Sequence, residues 1–154
     1  GYAYNADVFN VAEVTTKHIT PVYDVAADTL NNGLEITNAW IGGGFLNVEF
    51  KMNVEPYFTS NVTISLQDMQ IDGPANTDDG LYPFTLGVKC YPAIDNGVGT
   101  TVSTMACFYL GMDYSLDNLG CTGYKISYDK LNALPGEEKL FTIVTPQNNA
   151  QSSL

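Results

Sequence analysis

Arginine is absent from the 154 residues, and the six lysines face 17 acidic residues, for a formal net charge of -11. Nucleic-acid binding needs clustered cations that neutralise phosphates and release counterions. The lysines here, Lys17, Lys51, Lys89, Lys125, Lys130 and Lys139, are scattered along the chain. A nucleic-acid partner is therefore excluded. The missing guanidinium also removes the bidentate fork that best grips phosphate or carboxylate ligands. No apolar run approaches the ~18–20 residues that a membrane-spanning helix requires. No segment sustains a helical period; at most "SLDNL" or "DKLNAL" makes a single turn. The chain opens at Gly1 without a charged and then apolar leader, as expected of a mature or trimmed form.

Sites for chemistry are equally sparse. His18 is the only histidine, and no GxSxG nucleophile elbow occurs. It lies in an irregular stretch beside Pro21, where a solvent-facing or locally bonded imidazole is the expectation. Cys90, Cys107 and Cys121 fit no CxxC-type metal spacing. They read as buried thiols, with a disulfide between two of them left open. The acids gather in turns: Asp72, Asp78 and Asp79; Asp113 and Asp117; Glu137 and Glu138. Turn aspartates ordinarily bond local backbone, so a glycosidase-type carboxylate pair is not expected. No catalytic, cofactor-binding or metal-ligating residue is assigned, and the chain is read as non-enzymatic.

Strict alternation of apolar and polar residues is what the sequence does have. Leu46, Val48, Phe50, Met52 and Val54 face one way, with Asn47, Glu49, Lys51 and Asn53 facing the other, as in a half-buried strand. Val62/Ile64/Leu66, Phe84/Leu86/Val88/Cys90, Val102/Thr104/Ala106/Phe108/Leu110 and Tyr124/Ile126/Tyr128 form similar inward sets. The run Leu140–Thr145 is apolar on both faces. Turn clusters such as "DGPANTDDG", "PAIDNGVG" and "ALPGEE" separate these stretches. The pattern predicts an all-β fold, an antiparallel sandwich of Greek-key or immunoglobulin-like type with little or no helix. Residues 1–30 are expected to form an N-terminal strand segment, 31–146 the sandwich and 147–154 a polar, fraying tail. Pro21 restricts its strand to an edge or a strand start.

Three glycines follow the lone tryptophan in "EITNAWIGGGFLNVEF". A three-residue loop at Gly42–Gly44 sets Ile41 opposite Phe45, Trp40 opposite Leu46, Asn38 opposite Val48, Ile36 opposite Phe50 and Leu34 opposite Met52. Because side chains alternate with period two, this register buries Trp40 against Leu46. Such a loop needs a positive φ that glycine reaches without strain. A phosphate-cradling role is poor, because a strand and not a helix follows.

From Val8 to Phe50, "VFNVAEVTTKHITPVYDVAADTLNNGLEITNAWIGGGFLNVEF" resembles the NigD-like proteins of Bacteroidetes. The "TNAWIGGGFLNVEF" hairpin is the most specific part, and the late "PGEEKLFTIVTP" resembles the closing strand of that family more weakly. The resemblance implies a lipoprotein exported to the envelope of a Gram-negative bacterium. It further implies an OB-like N-terminal part, here reduced to a possible remnant, followed by a β-sandwich. It implies no catalytic residues. Membrane attachment would come only through an N-terminal lipid that this chain does not carry. Asp28-Thr29-Leu30 matches the short O-glycosylation pattern of exported proteins in that phylum.

Two binding readings stand beside it. Asp72, Asn76, Asp78 and Asp79 offer oxygen ligands for calcium within one loop, although without EF-hand spacing. Tyr109, Tyr114, Tyr124 and Tyr128, four of ten tyrosines, lie near strand ends where their rings would suit sugar stacking, although tyrosines of a sandwich more often fill its core or edges. Asn61-Val62-Thr63 is a sequon set in a strand, relevant only to eukaryotic secretion. The expected role is a non-catalytic envelope domain. The alternatives are a carbohydrate-binding or adhesive module, with a cell-surface protein or glycan as partner, and a fimbrial subunit that exchanges a strand between chains.

Overall fold

The computed structural model describes residues 15–21, 33–54, 61–68, 79–91, 99–131 and 139–146. Its elements are β1 (Thr15–His18), β2 (Thr20–Pro21), β3 (Leu34–Gly42), β4 (Phe45–Val54), β5 (Asn61–Asp68), β6 (Leu81–Tyr91), β7 (Thr100–Tyr109), α1 (Leu116–Leu119), β8 (Gly123–Asp129) and β9 (Lys139–Val144). Two sheets form, a four-stranded one ordered β1-β7-β4-β3 and a five-stranded one ordered β2-β5-β6-β8-β9. Together they make the expected all-β sandwich. It is more mixed than alternation alone suggests, since β1–β7, β2–β5 and β6–β8 pair in parallel. Alternation reports which face is buried and carries no signal for strand direction.

The inward sets expected from alternation build the core. Leu46, Val48, Phe50, Leu66, Phe84, Leu86, Val88, Ala106, Phe108 and Ile126 are almost wholly shielded and belong to one cluster between the sheets. Each large side chain so buried contributes about 1.5–3 kcal/mol relative to exposure. In β9 the two apolar faces part company. Leu140 and Val144 join the core, whereas Phe141 and Ile143 lie on the outer side, 56% and 43% exposed. The helical turn α1 falls in "SLDNL". The hydroxyl of Ser115 accepts from the N–H of Asn118 at 3.2 Å, and Gly120 ends the turn in the left-handed region.

Both flanks of the sandwich are closed. On one, the chain passes from β1 at the edge of the four-stranded sheet to β2 at the edge of the other, with Ile19 buried at the crossing. The edge position of Pro21 suits a residue with no N–H to donate. On the other flank, the N–H of Leu131 donates to the carbonyl of Leu34 at 2.9 Å, and Leu34 bridges Lys130. A Cβ on Gly33 would lie 2.3 Å from the Lys130 carbonyl oxygen, so this close approach requires glycine.

The Gly42–Gly44 hairpin corrects the expected register. Gly42 pairs with Phe45, Ile41 with Leu46, Trp40 with Asn47 and Ala39 with Val48. The loop therefore holds two residues, Gly43 at φ 63° and Gly44 at φ 81°, in the doubly positive conformation of a tight hairpin turn. An irregularity between Ile36 and Asn38 then shifts the register by one, restoring Ile36–Phe50 and Leu34–Met52. The Thr37 hydroxyl, at this bulge, donates to the Glu49 carbonyl at 3.1 Å. Trp40 consequently lies on the outer face, partly buried, and not against Leu46 in the core.

Candidate functional site: the outer face of the four-stranded sheet

Pairing places two rows of side chains side by side on the solvent face of β1, β7, β4 and β3. The first runs His18, Tyr109, Phe45 and Gly42; the second runs Thr16, Cys107, Asn47 and Trp40. The rings in the first row touch edge to face. His18 and Tyr109 have centroids 6.0 Å apart, and Phe45 and Tyr109 5.5 Å apart. Tyr109 is 47% exposed. His18 is exposed as well, while Phe45 and Trp40 are partly covered.

The hairpin end holds this face in shape. A Cβ on Gly42 would sit 3.5 Å from Cδ1 and 3.7 Å from Nε1 of Trp40, so the bare glycine is a floor under the indole. Asn47 is 8% exposed, and its amide donates to the carbonyls of Trp40, Gly42 and Phe45, each at 3.4 Å. These bonds are long and individually weak, but they tie Trp40 to the two residues flanking the turn. Farther along the same face lie Asn38, Glu49 and Met105, then Glu35, Lys51 and Ser103. Burial raises the pKa of the Cys107 thiol in the second row, so it stays protonated at neutral pH. Cys107 and Cys121 are free thiols.

Of the four tyrosines expected near strand ends, Tyr109 alone lies on this face. Tyr124 and Tyr128 are buried. Tyr114 packs inside against Tyr82 and Phe84, with centroids 6.2 and 5.7 Å away. The Tyr114 hydroxyl donates to Oδ2 of Asp68 at 2.9 Å, and the Tyr124 hydroxyl donates to the Tyr114 carbonyl. Three of the four tyrosines therefore belong to the core, and only Tyr109 is a surface ring. Tyr109 ends β7 facing outward, Tyr124 and Tyr128 face inward from β8, and Tyr114 reaches the core from the turn before α1.

Of the calcium-loop candidates, Asp72, Asn76 and Asp78 lie outside the described residues. Asp79 acts locally: Oδ1 accepts from the Leu81 N–H at 3.1 Å, and Oδ2 meets Lys125 Nζ at 3.9 Å. The same ammonium sits 4.5 Å above the Phe141 ring. Glu137, Glu138 and Asp28–Leu30 also fall outside the described residues; Asp117 sits in the first turn of α1 and Asp113 in the turn before it.

Trp40 and Phe45 are the site residues that alternation missed. A signal was present. Ile36 and Ile41 are both apolar but five positions apart, and an odd separation puts them on one face only if a bulge intervenes.

No protein-family model matches the sequence, and no curated protein matches it. Solved structures share the fold. A NigD-like immunity protein from Bacteroides caccae is 14% identical with a TM-score of 0.58, covering 84% of this chain and 59% of its own. A protein of unknown function, DUF1344, from Bacteroides vulgatus is 22% identical with a TM-score of 0.53, covering 86% of this chain and 56% of its own. A protein described as a lipoprotein from Bacteroides fragilis is 10% identical with a TM-score of 0.60, covering 85% of this chain and 70% of its own. This chain thus spans little more than half of two of them. The likeness is one of fold, and it agrees with the NigD-like resemblance carried by the hairpin.

Proposed function

We propose that the chain is a non-catalytic domain of an exported envelope lipoprotein, and that the outer face of its four-stranded sheet is its working surface. The row of His18, Tyr109 and Phe45 beside Trp40 carries this reading. Aromatic side chains left half in water are what a binding face presents, and the core does not need them. The two tyrosine hydroxyls that meet the buried Asp68 carboxylate give it a structural role. The fold shared with a lipoprotein and a NigD-like protein of Gram-negative Bacteroides supports export.

Cell fractionation of a Bacteroides host expressing the full-length gene product tests the location. The protein is expected in the membrane fraction, released by detergent and not by high salt. Recovery in the soluble cytoplasmic fraction would overturn the proposal.

A further inference from the structure

We infer that this outer face binds an uncharged oligosaccharide, laid across the strands from β1 to β3. The inference rests on the reading of the face as a working surface and names its ligand. Three features select sugar. First, Tyr109, Phe45 and Trp40 offer ring surface to the C–H faces of pyranoses. With strands ~4.8 Å apart, the four-strand width is roughly 14 Å, enough for a short oligosaccharide. Second, the neighbouring positions, Cys107 and Met105 apart, are polar and suit hydroxyl groups: Thr16 in the second row, then Asn38 and Glu49, then Glu35 and Ser103. An apolar protein partner would require a continuous apolar patch, and Glu49 and the exposed Asn38 interrupt this one.

Charge decides the third point. The face carries Glu35 and Glu49 against Lys51, with His18 at one end, so it has no cationic cluster. The whole chain bears -11 without any arginine, which repels uronic, sulfated or phosphorylated glycans. The platform is also already ordered. Gly42 supports the indole, and the Asn47 amide ties down the hairpin end, so little side-chain entropy is lost on binding.

Trp40 is the chain's only tryptophan, so its emission reports on this face alone. The probes are neutral hexose and N-acetylhexosamine oligosaccharides of three to six units, titrated into the purified chain while Trp40 fluorescence is followed. A saturable change in emission with at least one of them is expected. Tyr109→Ala should weaken that ligand about tenfold, the ~1.4 kcal/mol of one aromatic contact. Phe141→Ala, an exposed ring on the other sheet, should leave it unchanged. Calorimetry on Trp40→Ala, with circular dichroism to confirm folding, should show a similar loss without the optical reporter. Three results would each overturn the inference: no response to any neutral oligosaccharide at millimolar concentration, binding untouched by Tyr109→Ala, or a response confined to anionic glycans or cationic peptides. Fractionation decides the location independently, so failure here leaves the export reading standing and removes only the sugar assigned to this face.

Discussion

The hydroxyl of Tyr82 donates to Oδ1 of Asp68 at 2.9 Å inside the sandwich, and Tyr114 meets the other oxygen of the same carboxylate. Asp68 ends β5 and Tyr82 begins β6, while Tyr114 comes from the turn that leads into α1. One buried carboxylate therefore joins three segments. Replacing it removes the acceptor that two phenols share in a region walled by Phe84 and Tyr124. Asp68→Ala is expected to cost about 1–3 kcal/mol for each hydroxyl left without an acceptor. Urea unfolding checks this, and a midpoint equal to the parent's would show that the carboxylate is not structural.

The same cluster sets an alkaline limit. Burial first, and then the bond and charge of Asp68, push the Tyr82 phenol far above its ordinary range. Burial likewise pushes Tyr124 up from 10.0 to about 12. Unfolded tyrosines lose their protons near pH 10 while these two keep theirs, so the unfolded chain binds fewer protons and stability falls as pH rises. The fall begins near pH 10 and continues through at least pH 12, at up to about 1.4 kcal/mol per pH unit for each group. Below pH 9 these two groups contribute no slope. Melting curves from pH 8 to 12 should show the drop, and Tyr124→Phe should flatten it.

Trp40→Ala is expected to shift stability by less than about 1 kcal/mol, because the ring lies on the outer face. Phe50→Ala, with its side chain fully shielded between the sheets, should cost about 3–5 kcal/mol. Thermal unfolding of the two variants side by side makes the comparison. A large loss for Trp40→Ala would return the indole to the core.

In the tight turn, Gly43→Ala and Gly44→Ala each force an L-residue to a positive φ and should cost about 1–2 kcal/mol. Gly42→Ala needs no such conformation, and its new methyl finds ordinary contact distances of 3.5–3.7 Å, so it should be nearly neutral. Equal losses at all three positions would argue for a three-residue loop.

The core was legible because burial of one sheet face writes itself as period two. Leu46 to Val54 and Phe84 to Val88 read correctly from that pattern alone. Strand direction was not legible, since a parallel neighbour and an antiparallel one demand the same alternation. Trp40 was misplaced for a related reason. Its parity was counted through the bulge at Thr37, and one extra residue flips every side chain beyond it. The outer face was half visible. Tyr109 was among the ring candidates, but its partners Phe45 and His18 are distant in sequence and meet only through the β1–β7–β4 pairing.

The two closed flanks make the sandwich resist shear. Interdigitated side chains already oppose sliding of one packed sheet over another, and bonds at the margins add to that resistance. Here the covalent crossing at Ile19 and the Leu131–Leu34 bond pin opposite margins. Sliding would have to stretch the chain at one margin while breaking a directional bond at the other. The outer face of the four-stranded sheet is thus carried on a backing tied at both margins.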